Sequence, residues 1–178
     1  MSSLRKGIEK VEVGLKWDPS PLGSPPHDLD LVAAPYTSDD AHGAPAYLVH
    51  FDSRSPDGTI HLDRDSRTGQ GFGFDEVMIL ELERLAPQYV RVVVGVALQQ
   101  SEQQQGRATV FGDVANTAVR VRQDYTELSH HDLSAVATSS AATIGEFIRD
   151  TDGEWTFREL IRGFDGDLTS FAAVMGSL

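Results

Sequence analysis

The chain has 178 residues, 40% of them hydrophobic, and a formal net charge of -12. This suits one folded domain over 1–178 with a full core, and the acidic balance argues against unaided binding to nucleic-acid phosphates or an anionic membrane surface. The absence of cysteine excludes disulfides, thiolate metal sites and cysteine nucleophiles. The opening Met-Ser-Ser-Leu-Arg-Lys-Gly has no apolar stretch behind its basic residues and no run is long enough to span a bilayer, so the expected location is cytoplasmic, with no direct membrane insertion.

In chain order, Val11, Val13, Leu15 and Trp17 alternate with polar residues and glycine, the period of a half-buried strand. The proline-rich stretch over 18–26 breaks it. Leu29, Leu31 and Ala33 mark a second strand, and 47–52 reads as a third. The turn Ser55-Pro56-Asp57-Gly58 closes that strand, with 59–62 as its hairpin partner. Strands follow over 77–82 and 90–98, the latter β-branched and nearly continuous, as in a sheet centre. A glutamine-rich surface loop over 101–106 precedes a strand around Ala118, Val119 and Val121, with 124–128 as a possible partner. Segments 143–149 and 154–162 flank Asp150-Thr151-Asp152-Gly153, a hairpin turn. Leu168, Phe171, Ala172 and Met175 share one helical face, with Asp165 or Asp167 available as the N-cap. Many short strands and one late helix predict a mainly-β fold, a β-sandwich of two antiparallel or mixed sheets with a short C-terminal helix.

The chemically suggestive stretch is Asp65-Ser66-Arg67-Thr68-Gly69-Gln70-Gly71-Phe72-Gly73-Phe74-Asp75-Glu76. Alternate glycines let a loop turn its carbonyls inward, and carboxylates at both ends add oxygens of the kind a hard cation such as calcium takes. A solvated glycine-rich connection is the alternative. Asp28 and Asp30 lie on one face of a strand, about 7 Å apart, and repel unless solvated or bridged by a cation. Asp52, at the end of the 47–52 segment, is a third acidic element that a sandwich could gather at the same end.

These residues resemble the TerD (tellurium-resistance, stress-response) family. Gly14-Leu15-Lys16-Trp17-Asp18 and His27-Asp28-Leu29-Asp30-Leu31 are similar to its Gly-Leu-Gly-Trp-Asp and Phe-Asp-Leu-Asp motifs, and Ser55-Pro56-Asp57-Gly58 to its Ser-Pro-Asp-Gly turn. The 65–76 stretch resembles its glycine-rich acidic loop. Phe111-Gly112-Asp113-Val114-Ala115-Asn116 and Gly153-Glu154-Trp155-Thr156-Phe157-Arg158 match two later motifs in order. The resemblance implies a non-enzymatic, calcium-binding β-sandwich that works with other proteins in a stress-response assembly. It also implies the ligand set: Asp28, Asp30, Asp65, Asp75 and Glu76, with Asp52 where the family has Asn, and carbonyls near Thr68, Gly69, Gly71 and Gly73. Phe72 and Phe74 replace two family aspartates and Ser66 an asparagine, so at most one calcium site is expected. A metal-independent interaction or scaffold paralogue of the same fold is the alternative. The two phenylalanines are read either as an exposed apolar knob or as a plug over the sandwich end.

No nucleophile elbow, phosphate-binding Gly-Lys-Ser/Thr loop or dinucleotide fingerprint occurs. His130 and His131 are adjacent, and adjacent residues of a strand face opposite ways, which argues against a shared metal. His27 reads as a surface residue beside Asp28, and Trp17 and Trp155 as core.

Overall fold

The computed structural model describes residues 7–64, 69, 73–100 and 108–177. Among them are the strands β1 (Lys10–Lys16), β2 (Leu29–Thr37), β3 (Ile60–Arg64), β4 (Glu76–Glu81), β5 (Tyr89–Leu98), β6 (Ala118–Gln123), β7 (Thr126–His131), β8 (Ala141–Arg149) and β9 (Trp155–Phe164), then the helix α1 (Leu168–Val174). They form a five-stranded sheet, order β3-β4-β1-β6-β7, and a four-stranded sheet, order β2-β5-β8-β9. Every ladder is antiparallel. The mainly-β expectation holds, with the short helix where the periodicity put it.

β1 shows why the alternation was readable. Val11, Val13 and Leu15 are fully buried between the sheets, while Glu12 and Lys16 point outward. Trp17 continues the buried row, and Trp155 lies in the same core, as expected. β5 is internal to its sheet and buried continuously from Arg91 to Leu98, because it is covered on both faces. Val92, Val94, Val96 and Leu98 face the inter-sheet core. Val93 and Ala97 face a second apolar cluster formed with Phe171 and Met175 of the C-terminal segment.

That second cluster explains one departure. Only Leu29, Leu31 and Ala33 were expected inside β2, yet the strand runs on to Tyr36 with Val32, Ala34 and Tyr36 equally buried. The helical segment covers the face that alternation would have left to solvent. Asp167 is the N-cap, its Oδ1 accepting from the Ser170 N–H at 2.8 Å. Phe171 reaches the sheet only because residue 95 is glycine; a Cβ there would lie 2.5 Å from the Phe171 ring and 2.8 Å from the Ala142 carbonyl oxygen. Since the backbone oxygen cannot swing away, Gly95→Ala is expected to cost about 1–3 kcal/mol through overpacking, measured by urea denaturation. An unchanged midpoint would show that the helix shifts freely.

Two further expectations are corrected. Residues 47–52 do not form a strand; they make isolated bridges only, Ala33 to Val49 and His50 to Ser53. β3 accordingly pairs with β4 and not with that segment. Val49 crosses β2 at one point and the chain then turns, so its short apolar run supplies one core side chain instead of a ladder. The 124–128 partner is observed as β7, joined to β6 through Asp124 at a φ of 51°.

A buried ion pair ties the helical end to the sheet. Arg91 donates from Nε to Glu146 Oε2 at 2.8 Å, and from Nη1 to the carbonyls of Ala41 at 2.8 Å and Gly176 at 2.7 Å. It also lies 5.4 Å from the centroid of the Tyr36 ring. Burial raises the Tyr36 pKa to about 12, against the opposing pull of Arg91. Among the described residues no helix is long and apolar enough to cross a membrane.

Candidate metal centre

Three carboxylates, those of Asp30, Asp75 and Glu76, are taken out of water, with 1%, 1% and 0% of their surface exposed. Burying an ionised carboxylate is costly unless hydrogen bonds or cations compensate it, so their positions carry information.

Asp75 and Glu76 sit where the glycine-rich loop enters β4. The antiparallel register sets Glu76 opposite Leu15, which brings the end of β1 against them. The Asp75 N–H donates to the Leu15 carbonyl at 2.8 Å, and Asp75 Oδ2 accepts from the Trp17 N–H at 2.9 Å. Glu76 shares the inward parity of Met78 and Leu80 and crosses to the other sheet, where Oε1 accepts from the Leu31 N–H at 2.9 Å. Asp30, the neighbour of Leu31, leaves the opposite face of β2, and its Oδ2 accepts from Gln99 Nε2 at 3.0 Å. Such charge-assisted bonds are shorter and stronger than neutral ones.

The walls of this corner are equally specific. The Trp17 indole N–H donates to the His27 carbonyl at 2.9 Å, and His27 itself is half-buried. Gly69 has a φ of 74°, and a Cβ on it would lie 2.6 Å from Trp17 Nε1 and 2.8 Å from the Trp17 carbonyl oxygen. Only glycine fits there, and the loop is thereby pressed onto the tryptophan.

The sequence-derived ligands divide into groups. Asp75 and Glu76 bind the main chain of Trp17 and Leu31, while Asp30 turns to Gln99 on the other face of β2. Asp28 is half-buried one step before β2, its carbonyl accepting from the Gln99 N–H at 2.9 Å. Asp52 is exposed, on the turn beside His50. Asp65 lies outside the described residues, as do Thr68, Gly71 and Phe72. Among the described residues no group of three or more histidine or acidic side chains could by itself hold an ion. The chemistry of the buried donors is nonetheless that of a hard-cation site: carboxylate oxygens only, with no nitrogen or sulfur.

Phe74 follows neither sequence reading. It is half-buried on the outer face of the five-stranded sheet, over Gly14, where a Cβ would come within 2.7 Å of its ring. The Arg120 guanidinium stands 4.2 Å from its centroid. It is neither a knob nor a plug of the interior. His131 Nε2 lies 2.9 Å from Glu159 Oε1, and His130 Nδ1 lies 3.6 Å from Glu127 Oε1, so the two histidines part to different acids. Gln99 and the Trp17 main chain were not foreseen as site groups. Both depend on strand pairings, Leu29 with Leu98 and Leu15 with Glu76, that only the fold reveals.

The comparisons with known proteins agree along the whole chain. Tellurium resistance protein TerD of Serratia marcescens is 30% identical over 180 residues, which are 99% of this chain and 92% of that protein. General stress protein 16U of Bacillus subtilis is 26% identical over 181 residues, with the same 99% and 92% coverage. The crystal structure of a homologue of telluride resistance protein (TerD) from Streptomyces coelicolor A3(2) superposes with a TM-score of 0.90 at 52% identity, covering 96% of this chain and 99% of that one. The family model described as TerD domain matches residues 1–174, which takes in every strand, the buried carboxylates and the C-terminal helix. The chain is a member of the TerD family.

Proposed function

We propose that this chain is a calcium-binding, non-enzymatic module of a tellurium-resistance or general stress response, acting in the cytoplasm through other proteins of an assembly. The roles named for its Serratia and Bacillus relatives support the biological part. The observation that carries the calcium reading is the burial of three carboxylates, Asp30, Asp75 and Glu76, two of them adjacent where the glycine-rich loop enters β4. Asp30, Asp75 and Glu76 would hold the ion, with Asp28 and Asp65 nearby in sequence and carbonyls of the glycine loop completing its oxygens. A bound divalent ion would offset the mutual repulsion of these acids and fasten the 65–74 loop onto β1 and β2.

A metal-independent scaffold is the second reading, favoured by the bonds the carboxylates already make to Trp17, Leu31 and Gln99. Calorimetry and melting curves in EDTA, millimolar calcium and millimolar magnesium separate the two. Calcium at a hundred times its dissociation constant is expected to stabilise the fold by about 2.7 kcal/mol. Glu76→Gln keeps an acceptor for the Leu31 N–H while removing a charge, so it should abolish most of the calcium response and change the calcium-free melt little. Absence of heat and of any melting shift at millimolar calcium would leave the scaffold reading standing.

A further inference from the structure

A cleft of about 780 Å³ opens between the 44–52 segment, the end of β5 and α1. Its walls are apolar: Leu48 and Phe51 on one side, Leu98 at the base, Leu168 and Ala172 on the helix. Phe51 is 42% exposed and offers its ring to the opening. The volume is that of a site for a small organic molecule.

The charge around it has one sign. Asp52 and Asp167 are the ionised side chains that line it. The remaining titratable group is His50. The Asp52 N–H donates to His50 Nδ1 at 3.2 Å, which places the ring proton on Nε2. Asp167 is kept ionised by accepting from the Ser170 N–H as the helix N-cap. Gln99 and Gln100 add amide dipoles but no charge. Apolar walls of low dielectric focus the field of the two carboxylates into the opening, and an exposed aromatic face attracts a cation further.

We infer that this cleft binds a small organic cation with an apolar body, of the quaternary ammonium or phosphonium kind, seated on Phe51 and Leu168 with its charge toward Asp52. The inference does not rest on calcium, and its test is run in EDTA so that the two fail separately. Tetraphenylphosphonium and tetraphenylborate have the same shape and opposite charge. Titrated into the full chain by calorimetry and NMR, the phosphonium should bind at least tenfold more tightly and shift the Phe51, Leu168 and Ala172 signals. Asp52→Asn should weaken phosphonium binding about fivefold, the size of one charge contact in water, and strengthen borate binding by a similar factor. Ala173→Trp fills the cleft from an exposed helix position, and should abolish binding while the melting temperature stays near wild type. Equal affinity for the two ions, no binding of either, or phosphonium binding that persists in Ala173→Trp would overturn the inference. So would a change of oligomeric state in Ala173→Trp by sedimentation without loss of a phosphonium site, which would make the cleft a contact between copies.

Discussion

Glu146→Ala is expected to destabilise the fold by about 3–5 kcal/mol, because it strands the Arg91 guanidinium in the protein interior. Arg91 and Glu146 side chains are 4% and 1% exposed, so water cannot replace the lost partner. The guanidinium would keep the Ala41 and Gly176 carbonyls but no counter-charge on the sheet. Arg158 also reaches Glu146, yet its side chain is 65% exposed, and Arg158→Ala should therefore cost under about 1 kcal/mol. The informative control is the double variant Arg91→Met with Glu146→Leu. Replacing a buried pair by apolar groups of similar volume is often neutral or stabilising, so the double variant should recover most of the loss in urea denaturation. If it is as unstable as Glu146→Ala, the carbonyl contacts of Arg91 matter more than the ion pair.

Trp17→Ala should be comparably damaging, about 3–5 kcal/mol for a fully packed large side chain, with a local consequence that a distant core variant lacks. The indole holds the His27 carbonyl and presses against Gly69, so its removal unfastens both approaches to the carboxylate corner. The Trp17 main-chain bond to Asp75 survives the substitution. Trp17→Phe keeps most of the packing and loses the N–H, for a cost of about 1–2 kcal/mol. Denaturation gives the stability. Limited proteolysis reads the local effect, with cleavage near residue 69 expected to accelerate in Trp17→Ala well below the unfolding transition. Uniform cleavage along the chain would mean that the tryptophan serves the core alone.

What the sequence showed and hid follows from range. β1 and the β8–β9 hairpin were legible because their burial pattern and turns are local. The full length of β2 was not, since its outer face is covered by residues 171–175, far along the chain. Segment 47–52 has the composition of a strand, but two isolated bridges, Val49 to Ala33 and His50 to Ser53, are all the pairing it finds. At the site, the acidity of residues 28–30 and 75–76 could be read directly. The division of labour among them could not, because whether a carboxylate is buried like Glu76 or exposed like Asp52 depends on which strand lies opposite. Phe74 was misread for the same reason: its resting place over Gly14 requires β1 and β4 to be neighbours.

The bond from Leu31 to Glu76 has one more consequence. β2 is an outer strand of its sheet, and such a strand ordinarily offers a row of donors on which a foreign strand can grow. Here the Leu31 N–H is held by a carboxylate, the Ala33 N–H by the Val49 carbonyl at 3.0 Å, and Pro35 has no N–H to give. Three successive rungs are thus closed to templating. A substitution at Glu76 that removes its acceptor would reopen one of them, so the same side chain that borders the metal corner also guards the protein against edge-to-edge aggregation.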